Sequence, residues 1–202
     1  MNLESLKLKI TRLSCERDYR LLFDNLSFTL DAGSILRVAG KNGVGKTTLL
    51  RTIAGLYEIQ EGEVIVGDRS VTEARHHILY IGHRSQLTGD LRVLDNLKFL
   101  AGQDDTCLKR ALDNVGMLGY YDSLVKELSQ GQGRRCALAR LWCSDASIWI
   151  LDEPYSALDV SMIKTLDEKI SSHAASGGIC LFTTHQQSTL SEFQTLELGC
   201  VD

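Results

Sequence analysis

The sequence predicts an α/β fold with an antiparallel β edge and an inserted α-helical lobe. Three observations carry that prediction. The strand-like run Ile35-Leu36-Arg37-Val38-Ala39 enters a glycine-rich loop, and a helical run from Thr48 to Ala54 leaves it. The run Ile148-Trp149-Ile150-Leu151 is continuously apolar, as a central parallel strand buried on both faces requires. Between them, from Val93 to Leu128, apolar residues recur at helical spacing with no strand signal.

At 202 residues the chain is long enough for one sizeable core with a small lobe and too short for two full domains. We read a single domain over 1–202, with the core in 1–85 and 144–202 and the lobe roughly in 86–143. Charged residues at 24% and hydrophobic ones at 44% describe an ordinary globule, and a net charge of -4 gives no reason to expect nucleic acid as a partner. No apolar run reaches the roughly 18 residues of a membrane span. Met1 to Arg12 carries charges where a signal peptide needs an apolar centre. The six cysteines form no C-x-x-C pair and have no zinc-like spacing, so they are expected to be reduced, structural thiols.

Taken in order, Leu6, Leu8 and Ile10 alternate with charged residues, and Leu26, Phe28 and Leu30 alternate with Ser and Thr. Both read as half-buried strands, the second ending at the Ala32-Gly33 turn. Gly62 to Val66 and Ile78 to Ile81 are two further short strands, so the first 85 residues hold several strands and one long helix. In the lobe, Leu94, Leu97 and Leu100, then Leu108, Ala111, Leu112 and Val115, mark helices that Gly102 and Gly116 interrupt. Arg134 to Trp142 is strongly helical. A helix around Met162 to His173 and a last strand, Ile179 to Phe182, complete the core, about twenty residues before the end; no regulatory domain is expected beyond it.

The loop Gly40-Lys41-Asn42-Gly43-Val44-Gly45-Lys46-Thr47 fits G-x-x-x-x-G-K-[ST], the spacing that wraps a nucleotide's phosphates. Its glycines let successive N–H groups turn inward as an anion nest. Lys46 supplies a point charge to the β- and γ-phosphates, and the Thr47 hydroxyl a ligand for Mg²⁺. The helix opening at Lys46 adds its positive dipole end, on the order of 0.3–2 kcal/mol for a nearby anion. Asp152 and Glu153 end the buried strand at the carboxyl edge of the sheet. An Asp there holds the metal through water, and Glu153 beside it can polarise an attacking water. Pro154 biases Glu153 towards extended geometry. Leu128-Ser129-Gln130-Gly131-Gln132 opens the next helix and reads either as a simple N-cap or as a second anion site.

Phosphate loop, LSQGQ, IWILDEP, SALD and a strand ending in Thr183-Thr184-His185 follow the order of the ABC-type ATPases, which the chain resembles over residues 40 to 185. That resemblance implies a P-loop NTPase core of RecA-like type with a helical lobe, and a homodimer closing head-to-tail around two ATP molecules. It implies that Thr48 joins the phosphate loop. It also implies that Ser129, Gly131 and Gln132 touch the γ-phosphate held by the partner, and that Asp159 lies in the turn crossing the dimer interface. His185 is implied to contact the γ-phosphate and steady Glu153.

Within that family, LLFDNLSF, AGSILRVAGKNGVGKTTLLR, LYIGH, GQGRRCALARLW and TTHQ are similar to the haem-exporter ATPases of cytochrome c maturation. The similarity implies a peripheral subunit on the cytoplasmic face of the inner membrane, bound to separate integral membrane subunits. ATP hydrolysis there serves haem transfer or release from a haem chaperone.

Three departures from the family pattern stand out. Gln130 replaces the commonest Gly of the signature. The adenine-stacking aromatic falls near Arg17, with Tyr19 two residues away. The glutamine that senses Mg²⁺ and the attacking water is replaced by His83, with Gln86 close but shifted. The rival readings are a soluble ABC protein, which usually carries coiled-coil insertions or two fused ATPase domains, and a nucleotide-dependent switch without turnover.

Overall fold

The computed structural model describes residues 6–199. Two sheets organise them. The first is antiparallel, in the order β2-β1-β4-β5, from β1 (Lys7–Arg17), β2 (Arg20–Asp31), β4 (Glu61–Val66) and β5 (Arg69–Ser70). The second is parallel, in the order β6-β7-β8-β3-β9, from β3 (Ile35–Ala39), β6 (Ile78–Ile81), β7 (Ile148–Leu151), β8 (Ile179–Thr183) and β9 (Gln194–Glu197). The expected antiparallel strands thus form a sheet of their own beside the parallel one.

Period-2 alternation divides the parallel sheet between two apolar clusters. Ile148, Ile150, Ile179 and Leu181 face one side, where they meet Leu49, Leu50 and Ile53 of α1 (Lys46–Ile53) and Leu8, Ile10, Val64 and Val66 of the antiparallel sheet. Trp149, Leu151, Cys180 and Phe182 face the other, against α2 (Val93–Ala101), α3 (Asp105–Asn114), α4 (Gln130–Leu138) and α5 (Val160–Ala175). Every residue of β7 and β8 is buried, which is why their sequences carry no polar face. Each of the three α1 side chains is fully buried, worth about 1.5–3 kcal/mol apiece.

Several expectations need correction. The helix after the phosphate loop is short, eight residues, because Gly55 with φ 67 closes it at once. β1 and β2 are longer than the alternation suggested and pair as a hairpin from Lys7↔Asp31 to Arg17↔Arg20. Asp18 and Tyr19 form its tip with φ 51 and 59, the positive values a two-residue hairpin turn demands. Ile179 to Phe182 is not the last strand, since β9 pairs beyond it with β3; its sequence, QTLE, is polar because its residues lie at the exposed sheet margin. Cys15, Cys136, Cys143 and Cys180 are buried free thiols and Cys107 is half-buried and free, while Cys200 lies outside the described residues. Burial pushes the Cys136 thiol up to about 12 and the Cys143 thiol to about 11, so both stay protonated and unreactive.

Candidate active site

The strand order brings the chemistry to one edge. β8 lies between β7 and β3, so their carboxyl ends place Asp152-Glu153, Thr183 to His185 and the glycine-rich loop side by side. β6 adds Gly82-His83 on the far side of β7. A cleft of about 620 Å³ opens there, lined among others by Asn42, Gly43, Gly45, Lys46, Thr47 and Thr48, and by His83, Asp152, Glu153 and His185.

The loop's conformation follows from its glycines. Gly40 and Gly45 have φ of 137 and 109, and a Cβ on Gly40 would stand 2.6 Å from the Leu198 carbonyl oxygen. Val44 is buried in the core and, with Gly40 and Lys41, does not line the cleft. The ammonium of Lys46 donates to the Gly40 and Lys41 carbonyls at 2.8 and 3.0 Å, bracing the loop across its own base. Lys46 is 9% exposed, and no carboxylate pairs with it among the described residues. It is a nearly buried cation lining the cleft.

Asp152, 1% exposed, is the hub of the cleft floor. Its Oδ2 accepts from the Thr47 hydroxyl at 2.9 Å and its Oδ1 from the Thr183 hydroxyl at 2.8 Å. Thr183 in turn accepts the Glu153 N–H at 2.9 Å, so one hydroxyl fixes both carboxylate-bearing residues. Glu153 Oε2 accepts the His185 N–H at 3.3 Å, and Glu153 Oε1 lies 3.6 Å from His185 Nε2.

Glu153 is not extended as its neighbour Pro154 led us to expect; its φ is 51. Arg134, reaching from α4, overrides the local bias. Its guanidinium is 4% exposed and donates to four carbonyls: Gly82 at 2.6 Å, Asp152 at 3.0 Å, Glu153 at 2.7 Å and Pro154 at 3.3 Å. Desolvation pulls its pKa down to about 10, opposed by the charges of Asp152 and Glu153, and it remains a cation at neutral pH. A left-handed non-glycine residue costs about 1–3 kcal/mol and persists only where its surroundings over-determine it. Four carbonyl bonds on one side and Thr183 on the other provide that.

The remaining expected residues lie elsewhere. Ser129 caps α4: its hydroxyl accepts the Gln132 N–H at 3.3 Å, and its own N–H donates to Gln132 Oε1 at 2.9 Å. Gly131 packs so closely that a Cβ would lie 2.7 Å from the Ala157 carbonyl oxygen. Ser129 and Gln130 line a second, adjoining cleft that shares His83 and Ser156 with the first, adds Arg134 and contains no phosphate-loop residue. Asp159 caps α5 by accepting the Met162 N–H at 2.9 Å, and pairs with Arg135 at 2.5 Å. His83 lines both clefts, whereas Gln86 lines only the second and takes a 3.5 Å bond from Arg140. Neither Arg17 nor Tyr19 lines the phosphate cleft. Arg17 lies 3.8 Å over the Tyr57 ring, while Tyr19 is fully exposed. Arg134 and Thr183 were missed as functional; Thr183 had a signal, a hydroxyl ending a buried apolar run, and Arg134 had none.

Thr47 and Asp152 offer a hydroxyl and a carboxylate oxygen facing each other at the cleft floor. No cluster of three or more His, Cys, Asp or Glu side chains suited to a metal exists among the described residues. The Thr47–Asp152 pair fits a hard cation held by few protein oxygens and otherwise by phosphate and water, as Mg²⁺ is.

Residues 23–156 match the family model described as ABC transporter, and the chain belongs to that family. Its fold agrees with a putative ABC transporter ATP-binding protein from Pyrococcus furiosus, at a TM-score of 0.82 and 27% identity over 95% of this chain and 97% of that one. Within the family, it is 44% identical over 191 residues to the Cytochrome c biogenesis ATP-binding export protein CcmA of Escherichia coli, with 92% of each chain covered. The protein of that name from Tatumella citrea is likewise 44% identical, over 89% of this chain and 88% of its own. Among the described residues no helix is long and apolar enough to cross a membrane.

Proposed function

We propose that the chain is the ATP-binding and hydrolysing subunit of an ABC transporter complex that serves c-type cytochrome biogenesis, moving haem or releasing it from a haem chaperone. The observation that carries the hydrolytic part is the convergence of Lys46, the Thr47–Asp152 pair and the Glu153–His185 pair on one cleft. The similarity to the CcmA proteins supports the biological setting.

In this reading the loop amides and Lys46 hold the β- and γ-phosphates of ATP, and Thr47 and Asp152 hold Mg²⁺. Bound there, Mg²⁺ neutralises charge on the phosphate oxygens. Glu153 accepts a proton from the attacking water, a contribution of about 10²–10⁴ in rate. His185 holds the Glu153 carboxylate and meets the γ-phosphate. His83 faces the same water, where a neutral imidazole offers a lone pair as an amide oxygen does. Tyr19 stacks on adenine, because Arg17 is engaged on Tyr57. Residues 86–143 work as a lobe whose Ser129, Gly131 and Gln132 reach the nucleotide of a second copy, with Asp159 at the crossing. The homodimer binds integral membrane subunits and sits peripherally on the cytoplasmic face of the inner membrane. The lobe is the docking surface, between His83 and Lys126.

Magnesium-dependent phosphate release by the purified chain tests the reading. Lys46→Ala should abolish nucleotide binding together with turnover. Tight nucleotide binding without any phosphate release, alone or with membrane partners present, would instead make the chain a switch.

A further inference from the structure

Four donors from two loops converge on one buried carboxylate outside the cleft. Asp167, 3% exposed, lies mid-way along α5. Its Oδ1 accepts from the Tyr155 hydroxyl at 2.5 Å and from the Ser188 hydroxyl at 3.4 Å. Its Oδ2 accepts from the Thr189 N–H at 2.6 Å and the Thr189 hydroxyl at 2.8 Å. Tyr155 belongs to the turn that begins at Glu153, where the Ser156 N–H donates to the Glu153 carbonyl at 3.2 Å. Ser188 and Thr189 belong to the segment that begins at His185.

Both segments need an anchor. The chain between the end of β8 at Thr183 and the start of β9 at Gln194 has no regular secondary structure. The His185 side chain is half-exposed, and Glu153 is its one side-chain partner among the described residues. Inside the cleft the two residues meet through one long bond, from the His185 N–H to Glu153 Oε2 at 3.3 Å, and a 3.6 Å approach of the side chains, so the spacing depends on how the two segments are held outside it. On the Glu153 side, Tyr155 is fully buried, with its ring edge-on to Phe182 at 6.1 Å, so its hydroxyl is aimed by packing. Burial, and then the bond to Asp167, push the Tyr155 phenol far above its ordinary pKa, which keeps it a donor. A buried carboxylate is tolerated only when its lone pairs are satisfied, and these four donors satisfy it.

We propose that Asp167 is a positioning residue that ties the Glu153 turn to the His185 segment and so sets the contact between those two side chains. It acts through them and does not touch substrate. The proposal rests on the roles given above to Glu153 and His185, and its test separates the two.

The full chain is compared with Asp167→Asn, which keeps the shape but turns an acceptor into a donor facing other donors. Thr189→Val, which loses one bond only, serves if the first variant fails to fold. Backbone amide exchange is measured residue by residue, with kcat and KM for ATP, in the wild-type and His185→Ala backgrounds. The His185 and Thr189 amides should exchange about 10-fold faster or more in Asp167→Asn. Turnover should fall about 10-fold with KM within about 3-fold, and the loss should largely vanish in His185→Ala, because residues acting as a unit are not additive. Unchanged exchange at His185 overturns the proposal, and so does a loss of turnover that is equally large in both backgrounds. If exchange rises but His185→Ala hydrolyses ATP like the wild type, the tie stands and the role given to His185 falls.

Discussion

Arg134→Met is the substitution whose cost can be worked most directly from the structure. Arg134 donates four bonds, at 2.6 to 3.3 Å, to the carbonyls of Gly82, Asp152, Glu153 and Pro154. Bonds from a charged donor contribute about 1.5–3 kcal/mol each, so four at the low end give about 6 kcal/mol. Bonds made by one shared group are not additive, and burial disfavours the guanidinium, lowering its pKa to about 10, so about half of that sum is the expected loss. The net loss is about 3 kcal/mol, and for a chain of this size that lowers Tm by about 6–12 °C. The assay is calorimetric unfolding at neutral pH, with phosphate release measured well below Tm. Because the same bonds hold Glu153 at its left-handed φ, turnover should fall as well while ATP binding survives. A Tm within 2 °C of wild type would refute the reasoning, since it would mean the four carbonyls find equal partners without the guanidinium.

Three further outcomes are expected. Burial holds the His173 imidazole, stacked on Trp149 at 3.7 Å, down to about 4. The unfolded chain therefore takes up this proton near pH 6.5 and the folded chain only near pH 4, so stability is complete above about 6.5 and falls by about 3 kcal/mol as pH drops to 4. His173→Phe should keep the stack and flatten that part of the acid limb in denaturant titrations; an unchanged limb would exclude His173 as its source. His83→Gln should retain most ATP hydrolysis and His83→Ala should lose it about 10-fold, whereas equal turnover in the two variants would return the residue to a surface role. Tyr19→Ala should raise the Kd for ATP about 10-fold, from about 1–3 kcal/mol of lost base stacking, with Arg17→Ala nearly neutral.

The parts of the fold that were legible share one cause: burial writes itself into composition. β7 and β8 are enclosed on both faces, and their apolar runs mark them without ambiguity. The phosphate loop was legible because three glycines at fixed spacing answer a backbone demand that few other residues meet. The β9 strand was invisible because three of its four side chains are exposed and Leu196 alone packs against the core, so backbone pairing with β3 is what defines it. The extended β1–β2 hairpin was hidden by an Asp-Tyr tip in place of the usual Asn-Gly. In the cleft, Asp152, Glu153 and His185 could be read from strand ends, since strand order brings such ends together. Arg134 could not, because its partners are backbone carbonyls, which carry no sequence signature. The same is true of the conformation of Glu153, where a local proline bias lost to five bonds made by residues distant in the chain.

The hydrolytic role of Glu153 is tested most directly by phosphate release from Glu153→Gln beside the wild type, with ATP affinity measured on the same preparations. The amide keeps the size and the acceptor that the His185 N–H reaches, but cannot take a proton from water. ATP binding should be preserved, hydrolysis should slow by roughly 10²–10⁴, and the variant should accumulate as a dimer with ATP bound. Wild-type turnover in Glu153→Gln would contradict the account, because among the described residues the other carboxylate lining the cleft, Asp152, is held on both oxygens by Thr47 and Thr183.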